Sequence, residues 1–232
     1  MRRAPPNTLP GLVEPGQKPV RPKDSASLIV LRRNGDGLDV LMGRRGKKAV
    51  FGGVYVFPGG KVDAADRKVG FASDLQPHDL KRISKDENRA RGFPMAAVRE
   101  AFEETGLLLA GQGDLGPTSH PSWSEIGGKG LAPELGKLGY VGHAITPSKR
   151  KFRFNARFFF AWEEHMSGTL GGSGELSDLD FFPLDEALKL PLVDVTEFML
   201  LEVKRRAEEN LAPRETYPFF SYRTESPYIR YS

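Results

Sequence analysis

The apolar run Ser25 to Leu31 (SASLIVL) predicts a buried strand, and Asp39 to Met42 (DVLM) predicts its partner. Between them Asn34-Gly35-Asp36-Gly37 accepts positive φ and reads as a hairpin turn. A short strand is expected at Val54 to Phe57, stopping at Pro58-Gly59-Gly60. Phe152 to Trp162 alternates, with Phe152, Phe154, Ala156, Phe158, Phe160 and Trp162 on the core face and Arg153, Asn155 and Arg157 on the other. A further strand is expected at Leu179 to Phe182, after a glycine-rich turn at 168–174. Helical periodicity is strongest over Met95 to Thr105, where Pro94 suits the first turn and Gly106 the left-handed position past the end. A short helix is expected after Pro77, another over Asp185 to Leu190, and a longer amphipathic one over Val195 to Glu209. Residues 111–136, rich in Gly, Pro and Ser, read as loop, and the aromatic-rich tail 210–232 as an extended segment lying against the body. There is no internal repeat. Strands and helices interspersed around one core predict a single α/β domain over 25–232.

Composition narrows the chemistry. With no cysteine, disulfides, thiolate zinc, iron–sulfur ligation and a cysteine nucleophile are excluded, which suits a reducing cytoplasm. The four histidines show no pair at zinc-ligand spacing. No apolar run approaches the ~18 residues of a membrane span, so no membrane partner is expected. Arg2 and Arg3 are followed by Pro-Pro-Asn, which argues against a secretory leader. The net charge is +4, but residues 1–24 carry +3 of it together with six of the eighteen prolines. That segment is expected to be an extended, poorly ordered arm. The rest is nearly neutral, so no nucleic-acid partner is expected.

Gly111-Gln-Gly113-Asp-Leu-Gly116 matches a dinucleotide-binding pattern, but Pro117 and Pro121 follow where that fingerprint must open a helix. The informative stretch is Arg99-Glu100-Ala101-Phe102-Glu103-Glu104-Thr105-Gly106. Glu100, Glu103 and Glu104 fall within about 100° of one helix face, alongside Ala96 and Ala97. Met95, Val98, Phe102 and Thr105 face the other way. Three carboxylates near a helix C-terminus repel one another and the dipole. A hard divalent cation reverses that sign, since Mg²⁺ takes carboxylates, waters and substrate phosphates. Taken alone, the stretch reads first as a solvated acidic face with Arg99 paired to Glu103, since Glu-rich helices are common.

Its context adds more. Gly60, five residues, Asp66, and then Arg99-Glu100-x-x-Glu103-Glu104-x-Gly106-Leu107 resembles the Nudix box, Gx5Ex7REUxEExGU. Two features depart from it: Asp66 stands where Glu is usual, and the spacer before Arg99 has 32 residues instead of seven. The excess is placed at 67–91, a segment polar enough to be expected outside the core, either as a lid near the site or as a decorative surface loop. Gly43 to Gly60 with Val62-Asp63-Ala64-Ala65-Asp66, and Ile145-Thr146-Pro147 leading into Arg153-Phe154-Asn155, are similar to the branch of peroxisomal acyl-coenzyme A diphosphatases and their bacterial relatives. Only the Gly53-x3-Phe57-Pro58-Gly59-Gly60 end of the stricter coenzyme A signature is matched, with Ala49 where an arginine is usual.

The resemblance implies an α/β/α sandwich with a mixed sheet between helices, and hydrolysis of a nucleoside diphosphate linked to another moiety, with Mg²⁺ or Mn²⁺ as cofactor. Glu100 and Glu104 would be the main metal ligands, with Glu103 shared between ligation and activation of water and the Gly59 carbonyl as a further ligand. Arg99 would orient the glutamates, with Gly60 and Gly106 shaping the box. Asp66 is either a supporting acid or a loop cap, and Glu175 either a remote base or ligand or a solvated loop residue. Arg44 and Arg45, with Lys47 and Lys48, would bind phosphate or form a solvated hairpin rim, and Arg153 and Arg157 would line a substrate channel. The partner is then a small nucleoside diphosphate derivative, with a homodimer left open. The rival reading is a catalytically silent Nudix-fold module that senses a nucleotide or binds a partner.

Overall fold

In the computed structural model, residues 11–14, 16–35, 37–46, 52–223 and 226–232 are described. Asp36, Lys47 and Lys48, and the first ten residues of the expected arm, lie outside them. The strands are β1 (Lys23–Asn34), β2 (Gly37–Arg45), β3 (Tyr55–Val56), β4 (Gly59–Lys61), β5 (Ala110–Gln112), β6 (Leu131–Pro133), β7 (Gly139–Ile145), β8 (Phe154–Trp162), β9 (Leu176–Pro183), β10 (Pro218–Arg223) and β11 (Ser226–Tyr231). The helices are α1 (Pro77–Ile83), α2 (Glu87–Thr105), α3 (Pro121–Gly128), α4 (Leu184–Ala187) and α5 (Asp194–Ala207).

Among the described residues nine strands form one mixed sheet in the order β11-β10-β7-β8-β1-β2-β3, with β4 beside β1 and β9 beside β2. β5 and β6 form a separate hairpin. The β1–β2 hairpin closes at Asn34 and Gly37 as its turn residues require. Strand β1 runs parallel to β8 over nine residue pairs, from Lys23 with Phe154 to Leu31 with Trp162. Alternation along β1 sends Ala26, Leu28 and Val30 into one core and Ile29 and Leu31 into the other. Helices α1, α2 and α3 cover the first face, and α4 and α5 cover the second. This is an α/β/α sandwich.

Four expectations are corrected. Helix α2 begins at Glu87, so Pro94 lies inside it rather than in its first turn. The additional turns are held by the Asp86 carboxylate, which accepts from the Arg89 N–H, and by ion pairs from Arg91 to Asp74 and Glu87. Residues 111–136 are not loop, since they carry α3, most of β5, and β6, and bury Trp123, Ile126 and Ala132 completely. Segment 67–91 is not confined to the surface, because Val69, Leu75, Leu80 and Ile83 enter the core between α2 and the sheet. The β8 pattern is corrected on both faces: Phe152 precedes the strand and is 53% exposed instead of in the core, while Asn155 and Arg157 lie under 9% exposed, beneath the helical layer. The tail does run extended, as strands β10 and β11, and β10 joins the sheet parallel to β7. Of the expected arm, Gly11 and Val13 hydrogen-bond to the 149–151 backbone.

Because segment 67–91 packs inward, Leu75→Ala and Ile83→Ala are each expected to cost about 2–4 kcal/mol of unfolding free energy in urea titrations. A loss below about 0.5 kcal/mol for both would mark the segment as surface decoration.

Candidate active site

Strand β4 lies against α2 at Glu100 and Glu104. A Cβ on Gly60 would fall 2.3 Å from the Glu100 carboxyl carbon, and one on Gly59 would fall 2.4 Å from the Ala26 carbonyl oxygen. Gly60 therefore lets β4 meet the Glu100 carboxylate, and Gly59 lets it pack on β1, where a side chain would push each pair apart. The Gly59 N–H donates to Glu104 Oε2 at 2.8 Å. Gly106 ends α2 in the left-handed conformation at φ 77°. Beyond it the 168–174 turn folds over the helix end, with the Gly171 N–H donating to the Thr105 carbonyl at 2.9 Å.

Arg99 is the hub of the group, with its side chain only 4% exposed. Its Nε and Nη2 donate to the two Asp66 oxygens at 2.8 and 3.0 Å. Nη1 donates to Glu100 Oε1 at 2.9 Å and to Glu103 Oε2 at 3.0 Å, and Nη2 also reaches the Lys61 carbonyl at 2.9 Å. Asp66 in turn accepts from the Trp123 indole N–H at 2.9 Å and the Asp63 backbone N–H at 2.7 Å. The Ser122 hydroxyl donates to Glu103 Oε1. Ser122 and Trp123 escaped the sequence reading because their segment looked like loop. Pro121 opening a turn, with Trp123 and Ile126 three apart, is the signal that marks their helix.

Burial by itself would lower the Arg99 pKa, but the bonds and charge of Asp66 outweigh it and raise it above the ordinary value. Burial raises Glu100, with Arg99 opposing. Glu104 is pushed up to about 7, first by burial and then by the charges of Glu100 and Glu175, against the Gly59 bond and the Arg45 charge. Glu175 and Arg45 thus lie within electrostatic reach of Glu104.

The other basic candidates are engaged elsewhere. Arg44 Nε donates to the Gly53 carbonyl at 3.2 Å, and Nη1 lies 3.8 Å from Asp178. Arg153 bonds the Thr146 and Val20 carbonyls. Arg157 bonds the Ile83 carbonyl and Asn155 Oδ1, with its guanidinium 4.9 Å from the Phe93 ring centre. None of these partners of Arg153 and Arg157 belongs to the carboxylate group.

Among the described residues no three carboxylates or imidazoles already converge as a finished cation cage. Glu100 and Glu103 turn to Arg99, and Glu104 turns to Gly59. The donor set nevertheless fits a hard divalent cation such as Mg²⁺ or Mn²⁺. It offers only oxygen, it sets four carboxylates against the single guanidinium of Arg99, and Glu104 bonds no cationic group.

Comparison with solved structures places the fold. A Nudix hydrolase from Alicyclobacillus acidocaldarius superposes with a TM-score of 0.62 and 26% identity, over 78% of this chain and 90% of that one. The chain folds as a Nudix hydrolase. More distant Nudix structures are a MutT protein from Bacillus halodurans (TM-score 0.49, 18% identity, 89% of this chain and 97% of that one) and the Nudix domain of Shewanella oneidensis NrtR complexed with ADP ribose (TM-score 0.47, 13% identity, 81% and 90%). No protein-family model and no curated protein matches the chain.

The raised Glu104 pKa has a definite sign for stability. Between its ordinary value of 4.5 and about 7 the folded protein holds a proton that the unfolded chain has released. The stabilisation is complete below pH 4.5 and is lost as pH rises through about 7. In cation-free buffer, Glu104→Gln is therefore expected to be more stable than the natural protein by about 1–3 kcal/mol at pH 8, with the gap closing near pH 4.5. Urea unfolding at the two pH values reads this difference, and an equal gap at both would refute it.

Proposed function

We propose that the protein is a metal-dependent Nudix diphosphatase that hydrolyses a nucleoside diphosphate linked to another moiety, with coenzyme A or acyl-coenzyme A as the preferred substrate class. The observation that carries the reading is the Arg99-centred carboxylate group seated on the Gly59–Gly60 backbone. When bound, Mg²⁺ or Mn²⁺ neutralises charge on the diphosphate and lowers the pKa of coordinated water. Glu100 and Glu104 hold the cation, the Gly59 carbonyl adds an oxygen, and Glu103 is shared between ligation and accepting the proton of the attacking water. Asp66 and Arg99 fix these side chains, so little reorganisation is left for the reaction itself. Arg45, whose charge is felt at Glu104, and Arg44 meet the phosphates, and Glu175 serves as a second base or ligand from beside the turn over the helix end. The coenzyme A preference rests on the sequence resemblance carried by Gly43 to Asp66 and by Ile145-Thr146-Pro147 with Arg153-Phe154-Asn155. The absence of cysteine supports a cytoplasmic setting.

Glu104→Gln is expected to fold and to lose on the order of 10²–10⁴ in turnover, assayed with Mg²⁺ and Mn²⁺ over coenzyme A, NADH, ADP-ribose and dinucleoside polyphosphates. Natural turnover by purified variant would remove Glu104 from the site. Replacing Arg44 and Arg45 together with Ala should raise KM and leave kcat nearly constant, the mark of uniform binding. A fall in kcat at constant KM would instead put this pair in the chemical step.

A further inference from the structure

A concentration of positive charge lies outside the carboxylate group. A cleft of about 440 Å³ is lined by Arg21, Lys23, Lys61, Arg67 and Arg89, with Asp24 as its one acidic residue. Five cations facing one carboxylate repel one another, and two of them, Arg21 and Lys23, come from the basic first 24 residues. Two of them are held in place. Arg89 grips Asp24 through Nε and Nη2 at 2.9 and 2.8 Å, Arg67 adds Nη2 at 3.2 Å, and Asn155 donates to Asp24 at 2.7 Å. Each guanidinium carries five N–H donors, so both keep unspent donors after Asp24 is satisfied. Arg21, Lys23 and Lys61 have no acidic partner among the described residues. The cleft is thus a fixed basic frame with three free cations on its rim.

Its place in the fold ties it to the reaction centre. Lys61 follows Gly60 directly, and its carbonyl accepts from Arg99. Arg67 follows Asp66, the anchor of Arg99. From there the cleft extends to Arg89 near the start of α2, ten residues and about 15 Å along the helix from Arg99.

We propose that this cleft is a second anion subsite that takes a phosphate group of a ligand, separate from the diphosphate held at the carboxylates. Guanidinium forks and free ammonium groups suit phosphate oxygens, and the volume admits a phosphate with part of its carrier. The phosphate comes either from the substrate's own far end, an assignment that rests on the diphosphatase reading, or from a free phosphate anion.

The test begins without turnover. Inorganic pyrophosphate is titrated calorimetrically into cation-free protein, into the Arg21→Ala, Lys23→Ala, Lys61→Ala triple variant, and into Glu104→Gln. The triple variant leaves the Asp24 cluster intact, and thermal unfolding confirms that it folds. Saturable, salt-sensitive binding is expected, at least about tenfold weaker in the triple variant and unchanged in Glu104→Gln. No binding to the natural protein, equal binding to the triple variant, or loss of binding in Glu104→Gln would each overturn the subsite. Turnover then identifies the source of the phosphate. If the substrate's far end occupies the cleft, the triple variant loses about tenfold of the preference in kcat/KM for coenzyme A over dephospho-coenzyme A, which lacks the extra phosphate. An unchanged preference together with lost pyrophosphate binding assigns the cleft to a free phosphate anion. Failure of every substrate to turn over would refute the diphosphatase reading and leave the binding result standing.

Discussion

The guanidinium of Arg99 is almost wholly removed from water, and three carboxylates and a backbone carbonyl surround it. Burying such a charge is costly unless nearly every donor is matched. The match is made by Asp66, itself buried and tied to Trp123 and Asp63, so the cost is met by residues from three separate stretches of chain, 61–66, 100–103 and Trp123. Once Arg99 is fixed, Glu100 and Glu103 have their rotamers set by it, and the Lys61 carbonyl brings β4 into line. Glu104 is the exception, because it receives only a backbone N–H. The stability of the group and its readiness for a cation thus come from the same imbalance, in which one positive charge organises more negative charge than it neutralises.

Most of the framework was legible locally. The central strands, the two outer helices and the acidic face of α2 follow from alternation, helical period and the residues that end them. Elements held by distant partners were hidden. The first turns of α2 are anchored by Asp24, Asp74 and Asp86, so Pro94 is tolerated where local propensity would start the helix. The core residues of 67–91 stand singly among charged ones, and composition averaged over the segment masks them. Helix α3 is short and glycine-rich, and its weight is carried by one tryptophan whose indole finds Asp66. At the site, the identities of the glutamates were readable because their spacing is local. Ser122 and Trp123 reach them only through the fold.

The alternating pattern of β8 was a half-truth of another kind. It marked the core face from Ala156 to Trp162 but not Phe152, which is exposed, and a sheet covered by helices on both sides has no solvent face, so the polar residues opposite are buried too. Arg157 and Asn155 are accommodated there because Ile83, Asp24 and His143 supply partners. The extra helical layer from 67–91 makes that burial possible.

The parallel pairing of β1 with β8 has a consequence for how the chain reaches its structure. The partners are 131 positions apart at every rung, and they form the middle of the sheet rather than an edge. Local hairpins such as β1–β2 and β7–β8 can assemble early, but the centre closes only after a very large loop has been gathered in. Until then β1 and β8 each present an unpaired apolar edge to solvent. Folding speed and exposure to aggregation are therefore governed by late long-range pairings, β1 with β8 and β2 with β9, and a nascent chain cannot close the centre of its sheet until Trp162 has been synthesised.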